Sequence, residues 1–261
     1  MTIHLSTRHD GKVLIAVNDD PATRNALDWE FYEDFANVIT LAGADDSVGA
    51  IVVTGAAGFF SSGGNVAGLR ERAAMELSDR KAGVDRLHAM IRAMRACPKP
   101  IVAAIEGGAA GAGASLALAC DLIVAARDAY LSIAYVKIGL TPDGGATAFL
   151  GRALPRQLLN EMAMTGDRIG VERLHALGLI NHLSTPGQAL DDAIARAAVL
   201  AEGPPHALAE IKRLIDGAQH HSLDAQLDQE ADTIADALGG AEAREGIAAF
   251  FDKRKPNFPR A

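Results

Sequence analysis

Two glycine-rich turns and one turn aspartate carry the chemical promise of this chain. Ser61–Asn65 reads SSGGN and ends the loop after the apolar run GAIVVTG, while Gly107–Ala114 reads GGAAGAGA and follows IVAAIEG. Glycine lets a chain turn sharply and approach its neighbours, so tight strand-to-helix packing explains both turns. The same bareness exposes backbone N–H groups able to hold an anion or a developing oxyanion. Asp143 lies in Pro142-Asp143-Gly144-Gly145, where an aspartate either satisfies turn amides or serves as an acid or base. Both readings of each feature stand at this level.

Other glycine and serine chemistries are poorly matched. Gly111 and Gly113 begin a GxG, but Leu116 occupies the place of the third glycine of a dinucleotide fingerprint. No lysine follows to make a phosphate-binding P-loop. Gly113-Ala114-Ser115-Leu116-Ala117 is superficially like a nucleophile elbow, yet Ser115 falls about two helical turns beyond its strand, inside the following helix. A Ser–His–Asp hydrolase is therefore the weaker class. The eight histidines show no metal-binding spacing, His175 and His182 read as surface or packing residues, and no metal is expected.

These groups need a scaffold, and the apolar pattern outlines one. KVLIAV, GAIVVTG, IVAAIEG, LIVAA and YLSI read as short strands. Asp28 is placed to cap a helix with Phe31, Phe35, Val38 and Ile39 on one face, and Leu87, Met90, Ile91 and Met94 mark a second helix stopped by CPKP. The charged stretch from Leu69 to Arg80 is weakly patterned and reads as mobile. Alternation of strand and helix argues for parallel β with crossover helices, an α/β class. From Pro155 onward the pattern reads as helical only. Residues 1–200 are expected to form the α/β core and residues 201–261 a helical module, with Pro204 and Pro205 near the boundary.

Composition bounds the partners. The 261 residues are 49% hydrophobic and carry a formal charge of −8, which argues against nucleic acid as a general partner. Cys97 and Cys120 lie far apart, so a reducing compartment is expected. MTIHLSTRHDGKV lacks the pattern of a signal peptide, and no apolar stretch has the length and composition of a membrane span. The expected location is cytoplasmic, away from membranes.

Taken in order, PATRNAL, AIVVTG…FFSSGGN, KPIVAAIEGGAAGAGASLALACDLIVAA, IGLTPDGGATAFL, MTGDRI…ALGLIN and EGIAAFFDKRKPNF resemble the crotonase (enoyl-CoA hydratase/isomerase) superfamily over nearly the whole chain. The likeness is greatest to the isomerase branch containing the ring-epoxide and oxepin-CoA enzymes of phenylacetate breakdown. It implies a crotonase-like spiral of ββα units and a C-terminal helical region that builds homotrimers or dimers of trimers. It also implies an acyl-CoA substrate in fatty acid or aromatic acid catabolism, with coenzyme A entering as part of that substrate and no tightly bound cofactor.

By position, the resemblance makes the Gly64 and Ala112 N–H groups the oxyanion hole and places Ser62 beside it. Arg24 and Ala26 match positions near the nucleotide end of coenzyme A, and Phe250 and Lys253 match an acyl-covering phenylalanine and a phosphate-pairing lysine. Hydratases of the family use two glutamates, whereas Ser115 and Tyr135 stand at those positions here. Serine and tyrosine are poor bases near neutral pH. Asp143 matches the acid of isomerase members, so a double-bond isomerase is expected, with Tyr135 and Ser115 lining the acyl pocket. The Asp143 position also coincides with the nucleophile of some aromatic-CoA dehalogenases. The alternatives are a hydratase or oxepin-CoA-type hydrolase of the same superfamily, and a non-catalytic member binding CoA or RNA.

Overall fold

A computed structural model describes residues 5–259; the first four and last two residues included in the expected domain bounds lie outside it. The chain opens with β1 (Leu5–Asp10), β2 (Val13–Asn18), α1 (Trp29–Ala44) and β3 (Ala50–Gly55). It continues through α2 (Leu69–Ala74), α3 (Leu77–Ala96), β4 (Ile101–Ile105), β5 (Gly108–Ala110), α4 (Ala112–Ala119) and β6 (Leu122–Ala126). Next come β7 (Tyr130–Ser132), α5 (Ala146–Ala153), α6 (Arg156–Thr165), β8 (Arg168–Gly170), α7 (Val171–Ala176), β9 (His182–Ser184) and α8 (Ala189–Ala201). Helices α9 (Pro205–Gly217), α10 (Leu223–Gly239) and α11 (Ala241–Asp252) close it.

The strands form a six-stranded sheet in the order β1-β2-β3-β4-β6-β9 and a three-stranded sheet in the order β5-β7-β8. Pairing from β2 through β3, β4 and β6 to β9 is parallel. The central strands β3 and β4 are buried almost throughout, as expected of parallel strands covered on both faces. Helix α1 lays Phe31, Phe35 and Ile39 into the core, and the Asp28 carboxylate accepts the Phe31 N–H at 2.8 Å as its cap. Helix α8 packs its alanine face, Ala193, Ala197 and Ala201, against the sheet.

Three segments differ from the sequence reading. Leu69–Arg80 is largely helical, forming α2 and the first turn of α3; its charged residues are exposed apart from Arg72, which is half-buried. The region after Pro155 is not purely helical, because β8 and β9 add strand to both sheets. Each spans three residues, too short for an alternating pattern to register. The N-terminal β1 pairs antiparallel with β2; its exposed, polar face hid it.

The last three helices pack on one another and meet the sheet through a charged junction. Lys212 of α9 is buried and donates to the Met94 and Lys99 carbonyls at 3.0 and 3.4 Å and to Asp121 at 2.9 Å. Asp121 also accepts the Ile101 N–H at 2.8 Å and pairs with Arg95, which bonds Asp216 of α9. Three elements, α3, β4 and α9, thus converge on one carboxylate. Helices α9–α11 otherwise expose large apolar side chains, among them Ile215, Leu223, Phe250 and Phe251.

Removing one member of a paired, buried set leaves its partners desolvated without compensation. Lys212→Met is expected to lower stability by about 2–3 kcal/mol, read as a reduced midpoint in urea denaturation with an unchanged slope.

Candidate active site

The two glycine turns are brought side by side by pairing outside the main ladders. Leu27 bridges Gly64 in parallel: the Leu27 N–H donates to the Gly63 carbonyl at 2.7 Å and the Asn65 N–H donates to the Leu27 carbonyl at 2.8 Å. Successive backbone groups in an extended segment point to opposite sides. The N–H of Gly64 is therefore turned away from Leu27, toward the open cleft. On the other flank Ser61 bridges Ala109, tying the loop to β5.

Gly63 adopts φ +100°, and a Cβ there would lie 2.7 Å from the Ala110 carbonyl and 3.5 Å from the Ala112 nitrogen. No side chain larger than hydrogen fits that contact. Gly111 turns the chain at φ 50°, ψ −126°, and α4 starts at Ala112. First-turn N–H groups have no intrahelical acceptor, so the Ala112 N–H is free to face the cleft with the helix dipole behind it.

A buried polar pin fixes the loop. Asn25, at φ 56°, donates its side-chain amide to the Ala56 and Phe59 carbonyls at 2.9 and 2.5 Å. The Ser61 hydroxyl donates to the Asn25 carbonyl at 2.8 Å and accepts the Gly63 N–H at 3.2 Å. Neither Asn25 nor Ser61 is exposed to solvent.

Gly64 and Ala112 open onto a cleft of about 760 Å³ whose walls also include Tyr32, Arg72, His88, Tyr135 and Asp143. Among the described lining residues, Asp143 is the only carboxylate. It sits on a turn with two left-handed glycines, Gly144 at φ +59° and Gly145 at φ +82°. Its carbonyl accepts the Ser115 hydroxyl at 3.0 Å, and its Oδ1 accepts the Tyr135 hydroxyl at 2.6 Å. The Gly144 N–H reaches His88 Nε2 at 3.4 Å.

Burial raises the Asp143 pKa above the ordinary carboxylate range, opposed by the Tyr135 hydrogen bond and the nearby His88. Burial first, and the Asp143 charge second, push the Tyr135 phenol up. Tyr135 therefore remains a protonated donor to the Asp143 carboxylate. A similar hollow of about 750 Å³ among α9–α11 includes Glu242, but that carboxylate is engaged by the His206 and Ala207 N–H groups and caps α9.

The sequence-derived site residues divide. Gly64, Ala112, Ser62, Tyr135 and Asp143 share the cleft. Ser115 does not line it: the residue is fully buried, and its hydroxyl holds the Asp143 turn from beneath. Arg24 lies in a separate pocket of about 350 Å³ with Phe59, Tyr130 and Arg168, joined to the cleft loop through the Ser62 N–H to Arg24 carbonyl bond. Ala26 is half-buried beside it, its N–H on the Thr23 hydroxyl. Phe250 is 79% exposed and Lys253 ends α11 at φ 54°, both away from the cleft walls.

Sequence reasoning passed over Tyr32, Arg72, His88, Asn25 and Ser61. Tyr32 and His88 each follow a core residue, Phe31 and Leu87, so their position beside a buried helical stripe was the available signal.

A hydrogen bond to the ionised carboxylate lowers its pKa, so its loss raises it. Tyr135→Phe is expected to move the acidic limb of the pH dependence of kcat/KM upward by about one unit, measured with any substrate the enzyme turns over.

The comparisons with known proteins agree over the full length. The enoyl-CoA hydratase/isomerase family model matches residues 9–260. The chain is 33% identical over 259 residues to 1,2-epoxyphenylacetyl-CoA isomerase of Escherichia coli (strain K12), covering 99% of this chain and 98% of that protein. It is 32% identical over 248 residues to 2,3-dehydroadipyl-CoA hydratase of the same organism, covering 95% of each. A crystal structure of an enoyl-CoA hydratase from Polaromonas sp. JS666 superposes with a TM-score of 0.96 at 40% identity, covering 98% of this chain and 99% of that one. With its paired N–H turns and crotonase fold, the chain belongs to the enoyl-CoA hydratase/isomerase family.

Proposed function

We propose that the protein is an acyl-CoA enzyme that shifts a carbon–carbon double bond, using Asp143 as its single acid–base group. The supporting observation is that Asp143, the only carboxylate among the described lining residues, shares one cleft with Gly64 and Ala112. A thioester carbonyl placed on Gly64 and Ala112 has its adjacent C–H acidified, because the negative charge that forms on oxygen meets two fixed donors. Asp143 takes that proton, and the electron pair delocalises through the double bond onto the oxygen. The same carboxyl, whose proton exchanges with solvent while it is held there, then protonates the far end of the conjugated system and completes the shift with no net gain or loss of atoms. Burial raises the Asp143 pKa, which makes the carboxylate a stronger base than an exposed one.

Addition of water is the second reading, and His88 favours it. That imidazole is a further proton-transfer group on the same wall, and one of the relatives above bears the name of a hydratase. For the rest of the substrate, the Arg24–Arg168 pocket suits phosphate groups of the coenzyme A tail. The apolar faces of α9–α11 suit contact between copies, which would carry Phe250 and Lys253 to a neighbouring subunit.

A deuterium-oxide assay with 3-enoyl- and 2-enoyl-CoA thioesters, followed by mass spectrometry, separates these outcomes. Double-bond migration with deuterium incorporation and no added water, abolished by Asp143→Asn, is expected. Hydration of a 2-enoyl-CoA that survives Asp143→Asn would sink the isomerase assignment.

Ala112→Pro deletes one cleft-facing N–H at the first helical position, where proline is tolerated. It is expected to lower kcat by about 10²–10³ while leaving the melting temperature close to that of the parent protein.

A further inference from the structure

The cleft wall carries one fixed cation that the chemistry above does not use. Arg72, on α2, is half-buried there; its guanidinium donates to the Asn65 carbonyl at 3.1 Å and lies 5.3 Å from the centre of the Trp29 ring. Among the described residues it has no carboxylate partner. Its neighbours differ: Arg86, on the same indole at 4.7 Å, pairs with Glu33 at 3.3 Å, and Lys137 on the cleft wall pairs with Asp167 at 3.0 Å. A guanidinium has five N–H donors in a planar fork matched to a carboxylate. Among the described residues its one hydrogen-bond acceptor is the Asn65 carbonyl.

The surroundings give this cation a direction. Val66, Leu69, Val84 and Leu140 form apolar wall in the same cleft. Tyr32 lies within electrostatic reach of both the Asp143 carboxyl and the Arg72 guanidinium. The oxyanion turn, the proton-transfer group, an apolar wall and a cation therefore line one cavity. A methyl-ended acyl chain brings that cation no counter-charge, whereas an acid-ended chain supplies one.

Resting on the reading that the cleft takes acyl-CoA thioesters, we infer that Arg72 selects acyl groups ending in a carboxylate, the mono-CoA thioesters of dicarboxylic acids. Such selection follows from the asymmetry of polar recognition: a site built to pair a charged group rejects an analogue lacking it far more strongly than an apolar wall rejects one methylene. The Trp29 indole and the Asn65 carbonyl hold the guanidinium in place, so less freedom is lost when the carboxylate docks.

Calorimetric titration of the whole protein with saturated thioesters tests this without requiring turnover. Glutaryl-, adipyl- and suberyl-CoA are compared with methyl-ended acyl-CoAs of the same carbon number. At one chain length at least, the acid-ended member is expected to bind ten times more tightly or better. Arg72→Gln is expected to bring that ratio near one, and Arg72→Lys to restore part of it; a ratio is insensitive to the fraction of folded protein. Equal affinities in the parent protein overturn the inference. So does an Arg72→Gln variant weakened alike toward both classes, since that result assigns the guanidinium to the coenzyme A phosphates common to them. Absence of binding by every thioester overturns the acyl-CoA reading as well.

Discussion

The buried contact between Asn25 and Ser61 is the interaction on which the site depends. Asn25 spends its side-chain amide on two carbonyls of the loop that follows β3, and its own carbonyl receives the Ser61 hydroxyl. Ser61 in turn supports the Gly63 N–H and bridges to β5. Three chain segments far apart in sequence are thereby held in one register without a covalent link. Buried polar groups are costly unless satisfied, so this arrangement is rigid where apolar packing alone would permit sliding. Rigidity matters here because a hydrogen-bond donor stabilises a developing charge only if it is already aimed.

The acid on the opposite wall is governed by competing influences. Burial disfavours the ionised Asp143, while the Tyr135 hydroxyl and the His88 imidazole favour it. Each contact comes from a different element: the short helical turn at Ala134–Ile138 supplies Tyr135, α3 supplies His88, and α4 supplies the Ser115 hydroxyl that anchors the turn. A carboxyl suspended between these influences is suited to gaining and losing a proton within one turnover. The electrophilic half of the site has no such adjustment, being main chain.

Most of the central sheet was legible because parallel strands buried on both faces are written as unbroken apolar runs, as in AIVVTG and IVAAI. The glycine turns and PDGG were also visible, because positive φ at Gly63, Gly111, Gly144 and Gly145 restricts residue choice sharply. What stayed hidden depends on tertiary contact. Nothing local distinguishes Arg72 from the other charges of its stretch, and its meaning emerges only when α2 folds over Trp29. Ser115 is the opposite case: its type suggested a pocket wall, but helix α4 turns the hydroxyl onto the Asp143 carbonyl. The three-residue strands β8 and β9 carry no periodic signature, so their membership of the sheets could come only from the pairing itself.

The bridge between Leu27 and Gly64 gives this site an uneven tolerance to genetic change. The donor proposed at Ala112 is a main-chain amide, which a substitution other than proline does not remove. Loss or gain of one codon between Ser61 and Asn65 is a different event. It would reverse the alternation of the backbone, turning a carbonyl toward the place where an amide had pointed. Negative charge developing on the substrate would then meet a negative dipole end. The length of the glycine loop is therefore more tightly constrained than the identity of the side chain at Ala112.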